Sequence, residues 1–254
     1  MTPSAWNPER AGRVRAVADA LVSVLLAPRC VACAELLEHP TRGPVCGSCW
    51  QSILPLTPPL CEACGDPLPA CRAIDQSRAR CDRCQRTVRR VDRARAIGIY
   101  DGALRSVIHA LKYDARRSIA PRLAALMRER CADVLLGADA AVPVPLHRSR
   151  HRERGFNQAA DLARHVGLPV VFALRRVRPT EIQADLPASE RHQNVSGAFA
   201  PTRHADGLRG KAVVLIDDVS TTGATLDACA TALKECGVRE VRALTAARVA
   251  TIRS

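Results

Sequence analysis

The sequence predicts an α/β fold, a parallel sheet flanked by helices, preceded by a small Cys-rich zinc-binding module. Three observations carry this expectation. The apolar run at 213–216 (Val-Val-Leu-Ile) leads into Asp217 and Asp218, then a hydroxyl-rich glycine turn, then a helical pattern. Four Cys-x-x-Cys pairs lie between residues 30 and 84. From residue 91 onward, short buried-strand runs alternate with helical apolar spacing, the pattern of a parallel sheet.

A chain of 254 residues with 47% hydrophobic content can form one sizeable domain and an appendage, and it is not a disordered composition. The net charge of +13 and pI near 9.7 favour polyanionic partners: nucleotide phosphates, pyrophosphate or nucleic acid. Only seven aromatic residues occur (Trp6, Trp50, Tyr100, Tyr113, Phe156, Phe172 and Phe199), which is little material for a base-stacking platform.

Taken in order, residues 1–29 predict an amphipathic helix. Val14, Val17, Leu21, Val24 and Leu25 recur at helical spacing, and the apolar run is too short for a membrane span. Asp19 interrupts it, and the Ala-Pro-Arg-Cys at 27–30 is a poor cleavage site, so a cytoplasmic chain is expected, with the helix packing its stripe on the rest of the protein.

Residues 30–90 form the expected zinc-finger module. Each Cys-x-x-Cys pair turns two thiolates toward one point, and two pairs complete a tetrahedral site. Cys30, Cys33, Cys46, Cys49, Cys61, Cys64, Cys81 and Cys84 therefore have capacity for two Zn²⁺. Reducing cytosol disfavours a disulfide framework. The spacing leaves open which pairs share a metal. Cys71 has no Cys-x-x-Cys partner and is either a replacement ligand or a loop residue. From Arg72 to Arg95 nine arginines face only Asp75, Asp82 and Asp92, which reads as a solvated surface or as a stripe for single-stranded DNA.

Residues 91–254 carry the main domain. Strands are expected at 91–100, 140–144, 170–174, 213–216 and 241–248, giving roughly five, with helices at 104–113, 119–131, 157–166 and from Ala224 to Gly237. A turn at 146–158 crowds Arg148, Arg150, Arg152 and Arg154 beside His147 and His151. At the sheet edge next to the phosphate loop, such a cluster could neutralise pyrophosphate. The long polar stretch at 178–199, with Gln183, Arg191 and Asn194, is costly unless it has a job.

The turn after Asp218 defines the chemistry. Ser220, Thr221, Thr222 and Thr225 offer hydroxyls, while Gly223 and Ala224 bring backbone N–H groups at the helix start to bear on a phosphate monoester. Asp217 and Asp218 can accept hydrogen bonds from vicinal sugar hydroxyls and hold Mg²⁺ through water, so the inferred ligand is a phosphorylated sugar. No Gly-Lys-Ser/Thr follows the strand, which removes a Walker-type ATPase.

The strand, paired acids and Thr-Thr-Gly-x-Thr turn resemble the phosphoribosyl-pyrophosphate (PRPP) loop of type I phosphoribosyltransferases. With the Cys pairs, the Leu-Lys-Tyr at 111–113, the Val-Pro-Leu-His at 144–147, the Arg-Gly-Phe-Asn-Gln at 154–158, Gln183, Ala184, Arg191 and Asn194, nearly the whole chain resembles the ComF (competence protein F) family. The resemblance implies a zinc finger fused to a type I phosphoribosyltransferase-like domain that acts in natural competence, on imported single-stranded DNA and with competence-machinery proteins. It implies Mg²⁺ and Zn²⁺ as cofactors. As an enzyme, such a protein would break the C1–O bond of PRPP. Asp217 and Asp218 would hold the ribose hydroxyls, the 220–225 loop the 5′-phosphate, and Arg148, Arg154 and Lys112 the leaving pyrophosphate. Gln183, Arg191 and Asn194 would lie on a closing loop. A PRPP sensor that presents DNA or a protein partner is the other class of function these residues allow.

Overall fold

The computed structural model describes residues 8–69, 79–178 and 197–249. Four parallel strands form the central sheet: β1 (Arg93–Ala96), β2 (Ala140–Pro143), β5 (Ala212–Ser220) and β6 (Glu240–Arg248), in the order β1-β6-β5-β2. Both β5 and β6 are almost entirely buried, as an apolar strand covered by helices on both faces requires. One face carries α4 (Gly102–Tyr113) and α5 (Ala120–Arg130), packing Val107, Leu111, Leu123 and Met127 against Val214, Ile216 and Leu244. On the other, the helix that follows β5, Ala224–Glu235, packs Leu226, Cys229 and Leu233 against Val213, Leu215 and Ala243.

The expected fifth strand is displaced. Val170 makes a single parallel bridge to Ala141, and the chain then leaves the sheet. Residues Leu174–Arg176 (β3) pair antiparallel with Phe199–Pro201 (β4) instead. The Ala173 carbonyl and the Phe172 carbonyl both accept from Thr202, which ties 172–173 to the returning segment. The turn expected at 146–158 is also more regular than its charge suggests: Arg148–Arg154 form α7, capped by His147, whose Nδ1 accepts from Ser149 N, and ended by left-handed Gly155. The shorter α8 (Gln158–Ala163) follows, and α6 (Ala132–Leu135) closes the α5 side.

At the N-terminus, α1 (Pro8–Leu26) exists but does not bury its apolar stripe. Val14, Val17, Leu21, Val24 and Leu25 are all exposed, and the helix instead buries Asp19, which accepts from Thr41 N at 2.9 Å and pairs with His39. The polar anchor, absent from an amphipathicity argument, sets which face turns inward.

The cysteine pairs join in sequence order. Cys30, Cys33, Cys46 and Cys49 form one cluster, and Cys61, Cys64, Cys81 and Cys84 a second. Two short helices, α2 (Gly47–Gln51) and α3 (Asp82–Arg86), follow Cys46 and Cys81. The first ribbon shares its core with the main domain, because Trp50 and Ile53 pack with Ile97, Leu104 and Val107. The second docks on the edge strand: Ala94 N donates to the Ala63 carbonyl at 2.9 Å, and Arg95 pairs with Glu62 at 3.0 Å. Cys71 and residues 72–78 of the arginine run lie outside the described residues.

Candidate functional site

The ion and phosphate chemistry expected of residues 217–225 is built on the C-terminal end of β5, where parallel strands deliver their loops. β5 extends through Asp217 and Asp218 to Ser220, so both acids are held by the ladder to β6 and not by a loop. Successive strand residues turn opposite ways, and the two carboxylates accordingly have different neighbours. Asp218 Oδ1 pairs with Lys112 Nζ at 2.8 Å across the α4 face, with the Asp218 side chain 5% exposed. Asp217 faces Arg176 and Cys229 on the other side.

These surroundings set the charges. Burial pushes the Asp217 carboxyl up to about 7, and repulsion from Asp218 adds to the rise; the hydrogen bond from Asp218 N and the attraction of Lys112 and Arg176 oppose it. Burial works against the Lys112 ammonium, yet Asp218 first, and then Asp217 and Tyr100, hold its pKa above the ordinary lysine value. Two buried oxygens, Asp218 Oδ2 and Ser220 Oγ, have no hydrogen-bond partner among the described residues. Buried polar atoms without partners are rare, and here two of them border the same turn.

The turn is short. Gly223 is left-handed (φ +81°) and starts the helix α9 (Ala224–Glu235), Thr222 Oγ1 accepts from Ala224 N at 3.3 Å, and Ser220 and Thr222 are buried. The opposite wall comes from α7, which β2 delivers to the same edge: Val144 N donates to the Ile216 carbonyl, and Asn157 Nδ2 caps the Val144 carbonyl at 3.0 Å. Arg154 stacks on the ring of Tyr113, the neighbour of Lys112, at 4.8 Å. Arg148 opens α7 at this edge. Thus Asp217, Asp218, residues 220–224 and Lys112 meet at this edge and Arg154 reaches the ring of Tyr113 beside Lys112, whereas Gln183, Arg191 and Asn194 lie outside the described residues.

Sequence reasoning missed two arginines. Arg176 on β3 lies close enough to Asp217 to pull on its charge, with its guanidinium 5.5 Å from the centroid of Phe199. Burial depresses its pKa, and Arg150 of α7 pushes it further down. The Arg-Arg at 175–176 looks like surface charge until the β3–β4 pairing turns one of the two inward. The second is Arg89, expected among the surface arginines of the basic run. Its side chain is 5% exposed and reaches the turn itself, donating from Nη1 to the Thr222 carbonyl at 3.0 Å and pairing with Asp227 at 2.9 Å. Arg83 of the same run is likewise engaged, by Asp66.

The cysteine clusters fit zinc. A tetrahedral ZnS₄ site with Zn–S near 2.3 Å has sulfur–sulfur edges of about 3.8 Å. Here Cys33 and Cys46 sulfurs are 3.8 Å apart, Cys64 and Cys81 sulfurs 3.6 Å, and all four in each cluster lie within 4.8 Å. Backbone N–H groups donate to Cys30, Cys46 and Cys61 sulfurs, as thiolate ligands require. The Ser48 hydroxyl and Cys49 N–H hold the Cys46 thiol down to about 6.

Comparison with known proteins agrees with this geometry. Residues 21–85 match the double zinc ribbon domain family and residues 152–251 the phosphoribosyl transferase domain family. The chain is 30% identical over 224 residues to competence protein F of Haemophilus influenzae, covering 84% of this chain and 94% of that one. It is 33% identical over 193 residues to the DNA utilization protein YhgH of Escherichia coli (72% and 81%). Over 197 residues it is 28% identical to competence protein ComFC of Bacillus subtilis (76% and 79%). Among the described residues no helix is long and apolar enough to cross a membrane. With a double zinc ribbon, a phosphoribosyltransferase-type sheet and this likeness along most of its length, the chain belongs to the competence protein F family.

Proposed function

We propose that the protein binds Mg²⁺-PRPP at the β5–α9 turn and acts as a phosphoribosyltransferase in the use of imported DNA. The observation that carries this reading is the pair of partnerless buried oxygens, Asp218 Oδ2 and Ser220 Oγ, two residues apart at the end of β5, just before a turn whose backbone N–H groups open at a helix start. A ligand with vicinal hydroxyls and a phosphate supplies donors to the carboxylate and an acceptor to the hydroxyl. In this assignment Asp217 and Asp218 take the ribose hydroxyls. Residues 220–225 take the 5′-phosphate. Arg148, Arg154 and Lys112 face the pyrophosphate, with Arg176 steadying the Asp217 charge. Lys112 would leave Asp218 for the pyrophosphate when sugar hydroxyls replace it. Mg²⁺, when bound, would be held through water by the two carboxylates and would spread the charge of the leaving pyrophosphate. Gln183, Arg191 and Asn194, which lie outside the described residues, are assigned to substrate binding in this reading.

Calorimetry with Mg²⁺-PRPP tests binding, and a pyrophosphate-release screen against bases, amines and single-stranded DNA tests transfer. Absence of PRPP binding at millimolar ligand overturns the reading. Binding without pyrophosphate release under any acceptor selects the sensor form, in which the zinc ribbons present DNA or a competence-machinery protein. The DNA assignment draws on the relatives' names, competence and DNA utilization, together with the +13 charge.

A further inference from the structure

Five residues beyond Cys84, the last cysteine of the second cluster, Arg89 leaves the ribbon and enters the phosphate turn. One nitrogen of its guanidinium serves two partners: Nη1 donates to the Thr222 carbonyl at 3.0 Å and approaches Asp227 Oδ2 at 2.9 Å. Asp227, one turn into α9, is fixed in its own right, because its Oδ1 accepts from Arg90 N at 3.0 Å and Val91 N at 3.2 Å. The guanidinium also lies against Gly223, where any Cβ would overlap it, so the left-handed residue of the turn is closed in from the ribbon side. A second tie runs parallel to it. Arg248, paired with Ser220 across the ladder, donates to the Cys64 carbonyl at 2.7 Å and pairs with Asp66, which also holds Arg83.

We propose that Arg89 is a positioning residue for the phosphate turn, through which the second zinc ribbon sets the turn's geometry and hence its affinity for a sugar phosphate. This rests on the PRPP reading above. A planar guanidinium whose Nη1 holds a carbonyl and a carboxylate together while Nη2 lies against Gly223 orients the Thr222–Gly223 peptide, and with it the N–H groups that a phosphate would meet. Its polar contacts go to the Thr222 carbonyl and Asp227, so in this proposal it acts through the turn and not on the ligand. A lysine at this position keeps the charge and one donor nitrogen but lacks the second guanidinium nitrogen, Nη2, which lies against Gly223.

The test compares the full-length zinc-loaded wild type with Arg89→Met, Arg89→Lys and Asp227→Asn. Asparagine retains an acceptor for Arg90 N and Val91 N while losing the ion pair, so it serves if the arginine variants fold poorly. Zinc content and melting temperature report the fold. Three ligands divide the site: Mg²⁺-PRPP, ribose 5-phosphate, which uses the turn, and pyrophosphate, which uses the α7 arginines. The expected result is a tenfold or greater loss of ribose 5-phosphate and PRPP affinity in both arginine variants, with pyrophosphate affinity within twofold of wild type. Hydrogen exchange should quicken in the peptide covering 219–228. Rescue by lysine would mean a simple charge effect and overturn the proposal, as would equal losses for all three ligands. If the wild type binds none of the three, the PRPP reading fails by itself. Exchange at 219–228 then decides the positioning role, and unchanged protection in Arg89→Met overturns it.

Discussion

Replacing Asp217 by Asn should stabilise the ligand-free protein at pH 8 and leave it unaffected near pH 4. Its carboxyl titrates near 7 in the folded chain against an ordinary 3.8, because burial and Asp218 oppose its charge. Where the folded pKa is raised, the native state binds more protons than the unfolded state between the two values. Stability from this group is therefore full below about pH 4 and lost as pH rises through 7. Three pKa units correspond to about 4 kcal/mol at most. Asp217 keeps some exposure, so a loss of roughly 2–4 kcal/mol across the window is expected. Urea unfolding of wild type and Asp217→Asn at pH 4, 6 and 8, with zinc retained, gives the difference directly, and titrations common to both proteins cancel. Parallel pH curves for the two proteins would refute the argument. The same variant should bind Mg²⁺-PRPP at least tenfold more weakly at pH 8, since a charge-assisted hydrogen bond is worth roughly 1.5–3 kcal/mol. A residue whose removal stabilises the fold and weakens the ligand is held in place by function.

Lys112→Met should cost about 3–5 kcal/mol at neutral pH by leaving the buried Asp218 carboxylate uncompensated, and Asp218→Asn in the same chain should recover most of it; additive losses in the double variant would contradict the pairing. Purified protein should carry two zinc ions per chain, and a strong chelator should raise hydrogen exchange in both ribbons; elemental analysis without zinc would remove the ribbon assignment. For DNA, the informative arginines are the exposed Arg86, which lines a cleft of ≈ 330 Å³ beside Cys84, and the exposed Arg90, because Arg83 and Arg89 are committed to Asp66 and Asp227. Neutralising Arg86 and Arg90 should lower the salt slope of single-stranded DNA binding by about 1–2, whereas neutralising exposed Arg105 and Arg203 should not; equal effects would reduce the DNA contact to net charge.

The strand, turn and helix that carry the candidate site were legible because their signal is local. A buried strand, two acids and a hydroxyl-Gly turn occupy consecutive residues, and the fold has only to present them at a strand's C-terminal end. The metal ligands were legible for the same reason, each pair being defined within four residues. Pairing between the clusters was not, since any two Cys-x-x-Cys units satisfy one tetrahedron, and packing against Trp50 and Ala94 decides it. The fifth strand failed because 170–174 has strand composition but its partner is chosen elsewhere: Thr202 captures residues 172–173 from 30 residues away. The outward stripe of α1 was missed because one buried carboxylate, Asp19, outweighed five apolar residues in fixing the helix's orientation.

The arginine run shows most clearly what charge counting leaves out. Nine arginines against three aspartates read as a solvated or DNA-facing stripe, but their acceptors lie far off in sequence: Arg89 finds Asp227, Arg95 finds Glu62 and Asp133, and Arg83 finds Asp66. Arg83 ties the second ribbon within itself, Arg89 and Arg95 join the ribbon and its outgoing segment to their neighbours, and Arg89, like Arg248 outside the run, ends on residues 220–227. A zinc module tethered by a linker alone would not need the joins to neighbours. The second ribbon is therefore joined to the turn after β5, and a metal held by Cys84, five residues from Arg89, would bear on the geometry of that turn.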